Sequence, residues 1–365
     1  MSTLSARLKQ IRILNHYSME EVAQRIGVTK QSISKYEAGS TLPAAEILTK
    51  LIDFYELPAG YLAKPERAGE TCSPLFYRKN NRTSQREMEA VQICIMWYYE
   101  MLIACRQISD MSIPNLPYLG INLSIEEKVQ ALRTHWGIPY GPVKNLAELL
   151  SRNGIYIFTA VLENKRIDGY SQIIDDYPII VLNQSKGSRA RKNFSLAHEV
   201  GHLILHCGEE NSDLTVMEDE ADEFAACFLM PEKELREEMV HVDADNLDKL
   251  ANKWGVSPQA ILERCWKLGM LGEGEIGQAR RQYLLQRLNG IKNFYVPEEE
   301  DICSIKALIQ SIDSDALKRE TFMREARFPL PMMRKLLQMP DLFEQWKGSA
   351  DSADELEGVQ LTFAF

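Results

Sequence analysis

The run His198-Glu199-Val200-Gly201-His202, set inside the apolar stretch Phe194 to Leu205, constrains this chain more than any other feature. Two histidines four residues apart on a helix leave from one face, offset by about 40° and one turn of rise. Their ring nitrogens then reach one zinc ion at about 2.0–2.1 Å each. Glu199, beside the first histidine, is placed to take a proton from a water nucleophile. The fold must therefore hold this stretch as a helix with its metal-binding stripe facing a site.

A catalytic zinc needs a third protein ligand and an open position. The acidic stretch Met217-Glu218-Asp219-Glu220-Ala221-Asp222-Glu223 opens the next helical pattern. Glu218 lies sixteen residues past His202, enough for a loop and a returning helix. Glu220 competes with it for the ligand position. Asp222, four residues after Glu218, shares its helical face and can accept a hydrogen bond from a ligand histidine. Phe224, Ala225, Phe228 and Leu229 form the buried side of that helix. His206, one turn past His202, reads as a surface residue or a neighbour of the ligands, because ligation there stretches the helix geometry. Cys207 and Cys227 read as small, buried or partly buried side chains. Tyr170 and Arg191 are both able to stabilise an oxyanion, and the sequence selects neither.

Three β-like segments precede the metal helix: Ile155–Val161, Asp168–Asp175 and Ile179–Asn183. Their β-branched and aromatic residues and turn signals predict a small antiparallel sheet laid against that helix. Helices are predicted from Ser124, an N-cap, to about Trp136, and from Val143 to Arg152. Downstream, Asp248–Ile261 reads as a helix, a glycine stop and a Ser-capped helix. Trp254, Ile261 and Leu262 make it the helical finish of the same domain rather than a second helix-turn-helix.

The N-terminal residues carry a different signal. Leu4, Leu8, Ile11 and Leu14 recur at helical spacing. Ser18-Met19-Glu20-Glu21 is a capping box opening a helix that stops at Gly27. Thr29 caps a second helix from Lys30 to Glu37, which ends at Gly39. Two short helices joined by a glycine turn are a helix-turn-helix, whose second helix enters the major groove of DNA. Ile33 and Tyr36 face inward there. Lys30, Gln31, Ser34 and Lys35 face out, where Gln can pair with adenine and Lys with guanine or phosphate. Residues 1–36 hold six Lys/Arg and two acids, whereas residues 207–250 hold fifteen acids and three Lys/Arg. The chain's net charge of −10 argues against binding nucleic acid all over, and this asymmetry assigns phosphate contact to one end.

The rest is less specific. Pro65 to about Thr83 reads as a linker, and Gln85–Ser109 as one long helix with a broad apolar face. Its most apolar part, Ala90–Cys105, is too short to cross a bilayer and reads as core or dimer interface. Seven cysteines without a CxxC pair, and no apolar leader at the N-terminus, point to reduced thiols in a cytoplasm. The expected divisions are 1–66, a helix-turn-helix domain; 67–123, linker and long helix; 124–290, the metal domain; and 291–365, a helical C-terminal region without a legible role. The stretch Ser349–Glu357 is acidic and low in order.

Two resemblances carry these readings further. Ala23, Gly27, Ser32-Ile33-Ser34 and Tyr36-Glu37-Ala38-Gly39 resemble the lambda-repressor-like, Xre-type DNA-binding domain. Met19 stands where that family often has a phosphate-contacting Gln. The stretch Phe194-Ser195-Leu196-Ala197-His198-Glu199-Val200-Gly201-His202, followed by Glu218-x-x-Ala221-Asp222-x-Phe224-Ala225-Ala226 and Phe228-Leu229-Met230-Pro231, resembles the ImmA/IrrE family of metallo-endopeptidases. Trp136-Gly137-Ile138-Pro139 and Gly141-Pro142-Val143-Lys144-Asn145-Leu146 match it too. The resemblance implies zinc held by His198, His202 and Glu218, with Glu199 as general base. It also implies a repressor-type partner protein as substrate, and the Xre resemblance implies a homodimer on a double-stranded DNA operator. The fold class is then α+β: an all-α helix-turn-helix domain, a mainly helical zincin-like domain with a small antiparallel sheet, and a helical C-terminal region. The function expected is a transcriptional regulator whose zinc peptidase domain cleaves a partner repressor or itself, without membrane association. The alternative is a non-proteolytic repressor or antitoxin-like protein that uses the peptidase fold to recognise an effector, a toxin or another partner.

Overall fold

The computed structural model describes residues 3–58, 60–65, 69, 71–77, 85–120, 122–138, 140–160, 167–183, 188–207, 213–239, 241–288 and 304–344. The stretch Ser349–Glu357 and the strand end Val161 lie outside them. In chain order the elements begin with α1 (Thr3–Leu14), α2 (Met19–Ile26), α3 (Lys30–Ala38), α4 (Ala45–Tyr55), β1 (Phe76–Tyr77) and α5 (Gln85–Arg106). Next come α6 (Ile125–His135), α7 (Leu146–Arg152), β2 (Tyr156–Ala160), β3 (Gly169–Ile174), β4 (Tyr177–Asn183), α8 (Arg189–Leu205) and α9 (Leu214–Leu229). The last are α10 (Glu232–Glu238), α11 (Ala244–Trp254), α12 (Pro258–Lys267), α13 (Glu273–Leu288), α14 (Ser304–Ser314), α15 (Ala316–Ala326) and α16 (Leu330–Leu337).

The chain divides into two compact units. The first holds residues 1–68, 84–111 and 306–365, and the second holds 69–83 and 112–305. These units do not coincide with boundaries at 66, 123 and 290. The long helix α5 and the C-terminal helices share the first unit with the helix-turn-helix, and part of the stretch read as a linker is built into the second.

In the first unit, local chemistry sets the helix-turn-helix. Ser18 and Glu21 cap α2 reciprocally, with Ser18 N donating to Glu21 at 2.7 Å and Glu21 N to Ser18 Oγ at 3.2 Å. Gly27, at φ 81°, ends α2 in the left-handed conformation that a Cβ resists. Thr29 Oγ1 then accepts from Ser32 N at the start of α3. A buried pair ties α3 to α1: Arg12 grips both carboxylate oxygens of Glu37 at 2.6 and 2.7 Å. Such two-pronged pairing fixes orientation as well as contact.

Helix α5 extends beyond the Ala90–Cys105 run, and over Glu87–Arg106 it is long and apolar enough, by length and composition alone, to cross a membrane. However, 61% of its most apolar stretch is buried inside the protein. Glu100, in the same helix, pairs with Arg7 at 2.8 Å and Lys64 at 2.9 Å. Trp97 packs against Phe328, with ring centres 4.3 Å apart. This is a core helix of the first unit.

The second unit is built on a four-stranded sheet of order β1-β3-β4-β2. The sheet is mixed, which corrects the antiparallel expectation. Strands β3 and β4 form an antiparallel hairpin across the Asp175-Asp176 turn, but β2 runs parallel to β4. Strand β2 therefore lies on the far side of the hairpin from β1. Period-2 patterning marks strands but says nothing of their order or direction in the sheet. Helix α8 lies across β3 and β4, and α9 packs along α8. Leu196, Val200, Phe224 and Phe228 are buried between these layers. Gly201 permits the close approach of the two helices, because a Cβ there meets Ala221 Cα and Phe224 at 3.2 Å. Helices α11 and α12 complete the same core through Trp254, Ile261 and Leu262.

Candidate metal centre

Helix α8 presents His198 and His202 with their Nε2 atoms 3.1 Å apart. Glu218, from the first turns of α9, reaches both: its carboxylate lies 3.5 Å from His198 Nε2 and 3.3 Å from His202 Nε2. A tetrahedral zinc with bonds of about 2.0–2.1 Å separates its ligand atoms by about 3.3–3.4 Å. The three observed separations bracket that value, so the donor set fits zinc in both chemistry and spacing. The close approach of α8 and α9 at Gly201 is what brings the carboxylate within reach of the histidines.

The hydrogen bonds behind the ligands agree with this. His198 Nδ1 meets Asp222 Oδ1 at 2.8 Å. His202 Nδ1 meets His206 Nδ1 at 3.0 Å, and His206 Nε2 meets Glu220 at 2.9 Å. One proton arrangement satisfies all three contacts: each ligand histidine donates from Nδ1, His206 accepts at Nδ1, and His206 donates from Nε2 to Glu220. Both ligand Nε2 lone pairs are then left facing the site. His206 is thus a buried neighbour of the ligands, 1% exposed. Glu220, the competing third ligand, holds His206 instead of joining the cluster.

Glu199 is 3% exposed and accepts from Ser171 Oγ of β3 at 2.6 Å. Burial pushes its pKa up to about 7, with the nearby Glu218 and Asp168 charges adding to the rise and His198 and Ser171 opposing it. A base poised near neutrality suits proton transfer. Gly169 makes the room: a Cβ there falls 3.1 Å from Glu199 Oε1 and 2.9 Å from Leu182. Burial works to lower the His198 pKa, yet hydrogen bonds to Asp222 and Glu218 lift it to about 10. Burial works to raise Glu218, yet the two histidines hold it down at about 2. This is a pocket that favours positive charge, and a divalent cation supplies more of it than a proton.

Residues 150–265 match the IrrE N-terminal-like domain family, and residues 8–62 match the helix-turn-helix family. The chain joins a helix-turn-helix module to an IrrE N-terminal-like domain. The chain is 36% identical over 62 residues to the SPbeta prophage-derived HTH-type transcriptional regulator YonR of Bacillus subtilis, covering 17% of this chain and 57% of YonR. It is also 36% identical over 58 residues to the cryptic phage CTXphi transcriptional repressor RstR of Vibrio cholerae, covering 16% of this chain and 52% of RstR. The chain spans about half the length of the curated relatives it matches.

The IrrE-like domain draws on residues that sequence reasoning passed over. Ser171 and Gly169 shape the Glu199 pocket from β3. Phe76, in the stretch read as a linker, stacks flat on His202 with ring centres 5.2 Å apart and lies 6.0 Å from His206. No local signal marks these three, because each acts through a neighbour distant in sequence. Arg191, one oxyanion candidate, is paired with Asp168 at 3.0 Å. Tyr170, the other, is fully buried in β3. Cys207 is exposed, and Cys227 is buried with its thiol pushed well up, chiefly by burial. In the helix-turn-helix module, Lys30, Gln31, Ser34 and Lys35 are all exposed on α3, Ile33 is buried and Tyr36 half-buried.

Proposed function

We propose that this chain is a DNA-binding transcriptional regulator whose IrrE-like domain is a zinc endopeptidase acting on a partner protein or on the chain itself. The observation that carries the reading is the tetrahedral spacing of His198, His202 and Glu218 beside a buried Glu199. Those three residues would hold zinc, and Asp222 and His206 would orient the histidines. Zinc, when bound, supplies Lewis acidity that polarises the scissile carbonyl and acidifies water. Glu199 takes the proton from the attacking water and passes it to the departing amine. Ser171 holds the Glu199 carboxylate for that transfer.

The helix-turn-helix supplies the operator contact, with Lys30, Gln31, Ser34 and Lys35 on the groove-facing side of α3 and a homodimer matching paired half-sites. Double-stranded DNA is thus one partner and a repressor-type protein the other, in the cytoplasm. The similarity to a phage repressor supports the second reading: a repressor or antitoxin-like protein that keeps the fold for recognition alone.

The zinc content of the purified chain, beside that of His202→Ala, tests the site. About one zinc per chain, lost in the variant, supports the metal centre, and no zinc in either refutes it. Glu199→Gln should keep the zinc and lose peptide cleavage. Cleavage retained in that variant refutes the general-base role.

A further inference from the structure

Strand β3 flanks the metal helix, and its outer edge is taken by the chain's own residues 71–77. Asp175 N donates to Thr71 O at 2.7 Å, and Ser73 N donates to Ile173 O at 2.9 Å. Phe76 pairs with Ser171 and Tyr77 with Tyr170. Ser171 is the residue that holds Glu199, and Phe76 is the residue stacked on His202. The segment therefore runs, extended, past both the base and a ligand, and it buries an aromatic ring against the ligand.

Its grip on β3 is irregular. The register slips by one residue between the Cys72–Ile174 bridge and the Phe76–Ser171 pair, which is a bulge. Pro74 lies in that bulge and has no N–H to donate. Ile173 N donates to the Ser73 side chain at 3.0 Å rather than to a backbone carbonyl. Among the described residues, only Phe76 and Tyr77 form regular ladder. The segment thus covers an edge that, left bare, invites pairing with other chains, and it holds that edge through few regular ladder bonds.

We propose that Thr71–Tyr77 is a displaceable internal ligand of the β3 edge, seated where an extended segment of a partner protein, bearing an aromatic residue for the His202 face, binds by strand addition. The identification of that partner segment as a substrate rests on the peptidase reading. The binding edge itself does not.

The Cys72–Ile174 pair offers a lock. The hydrogen bonds from Ser73 N to Ile173 O and from Asp175 N to Thr71 O flank this pair, so it is of the non-hydrogen-bonded type. Such pairs bring Cα atoms to about 4.5 Å, within disulfide range. In the full chain carrying Glu199→Gln, so that nothing is cut, Ile174→Cys should oxidise to a disulfide with Cys72 that peptide mapping detects. The probe is a fluorescent synthetic peptide of the Thr71–Tyr77 sequence carrying Cys72→Ser, and its binding is read by anisotropy.

A tethered strand competes at an effective concentration on the order of millimolar. Weakening it therefore raises the apparent affinity of an added peptide. The reduced protein should bind the peptide at least about ten-fold more tightly than the locked protein, and Phe76→Ala without the lock should bind more tightly than its parent. Equal binding by locked and reduced protein overturns the proposal. So does failure of the introduced thiol to join Cys72, or absence of binding by both the reduced protein and Phe76→Ala. A chain that holds no zinc and cuts nothing, yet passes these tests, refutes the peptidase reading and leaves the binding edge standing.

Discussion

Replacing Asp222 tests the metal centre without removing a ligand. Asp222 accepts from His198 Nδ1 at 2.8 Å, which fixes the ring and turns its Nε2 toward the proposed metal site. Loss of such an outer partner typically lowers metal affinity about 10–100-fold, or roughly 1.4–2.7 kcal/mol. The Asp222 side chain is 31% exposed, so water replaces part of what it supplies and the loss belongs near the lower end. Asp222→Ala should therefore weaken zinc binding about ten-fold. Asp222→Asn keeps an acceptor oxygen but not the charge, and should fall between the two.

Glu220→Ala is the internal control. It acts one residue further out, through His206, and its side chain is 46% exposed. Its effect should stay below about three-fold, in the range of weak surface pairs. The assay is competition with a chelator of known zinc affinity, with circular dichroism to show that each variant is folded. Wild-type affinity in Asp222→Ala refutes the reasoning. A larger loss in Glu220→Ala than in Asp222→Ala refutes it too, because the carboxylate on His206 would then be the ligand-side group.

Three further outcomes follow from other parts of the structure. Gly169→Val forces a side chain against Glu199 and Leu182, and such overpacking typically costs about 1–3 kcal/mol; thermal melting should show a lower midpoint, and an unchanged midpoint together with unchanged cleavage would refute the close packing. On an operator fragment, Lys30→Ala should weaken binding to all sequences and flatten the salt dependence, whereas Gln31→Ala should relax sequence preference; the reverse pattern in binding titrations at several salt concentrations would exchange their roles. Burial acts to raise the pKa of Glu126, yet hydrogen bonds with Cys227 and Arg264 outweigh it and hold the carboxyl below its ordinary value. The stability it adds is present above the unfolded pKa and lost as pH falls through the lower folded one, so the melting difference between the parent and Glu126→Gln should be full at neutral pH and shrink as the pH falls below the ordinary carboxyl range; a difference that persists undiminished in strong acid would assign the role to packing.

Local rules made much of this legible. The caps at Ser18, Gly27 and Thr29 bound α2 and α3 within a residue because each cap is a contact between near neighbours. The helical repeat placed His198, His202, Glu218 and Asp222 on two faces that the structure brings together. The parts that escaped are those in which the partner is far away in sequence. The parallel pairing of β2 with β4 joins strands that are not neighbours in sequence, which strand patterning does not encode. Phe76 sits in a polar, Pro- and Gly-containing stretch that reads as a linker, and only the edge of β3 turns two of its residues into a strand. Helices α14 and α16 carry ordinary amphipathic patterns and α15 hardly any, and nothing in those patterns names α5 and the helix-turn-helix as their companions in the first unit.

That last fact bears on whether the chain itself is a useful substrate. The chain passes between its two units at 68/69, 83/84, 111/112 and 305/306. A cut between 69 and 83 would sever the link after the helix-turn-helix but would not free that module. Arg7 of α1 is fully buried and paired with Glu100 of α5, and Lys64 joins the same carboxylate while donating to Ala326 O at 2.7 Å. Pulling the module away strands a buried carboxylate, a penalty of about 3–5 kcal/mol for such a broken pair, and exposes the apolar surface around it. A nicked chain would thus keep its DNA-binding module by non-covalent contact. Under the peptidase proposal, self-cleavage at this segment is therefore a poor switch for a unit built from three stretches of chain, and a partner protein supplied in trans serves that proposal better.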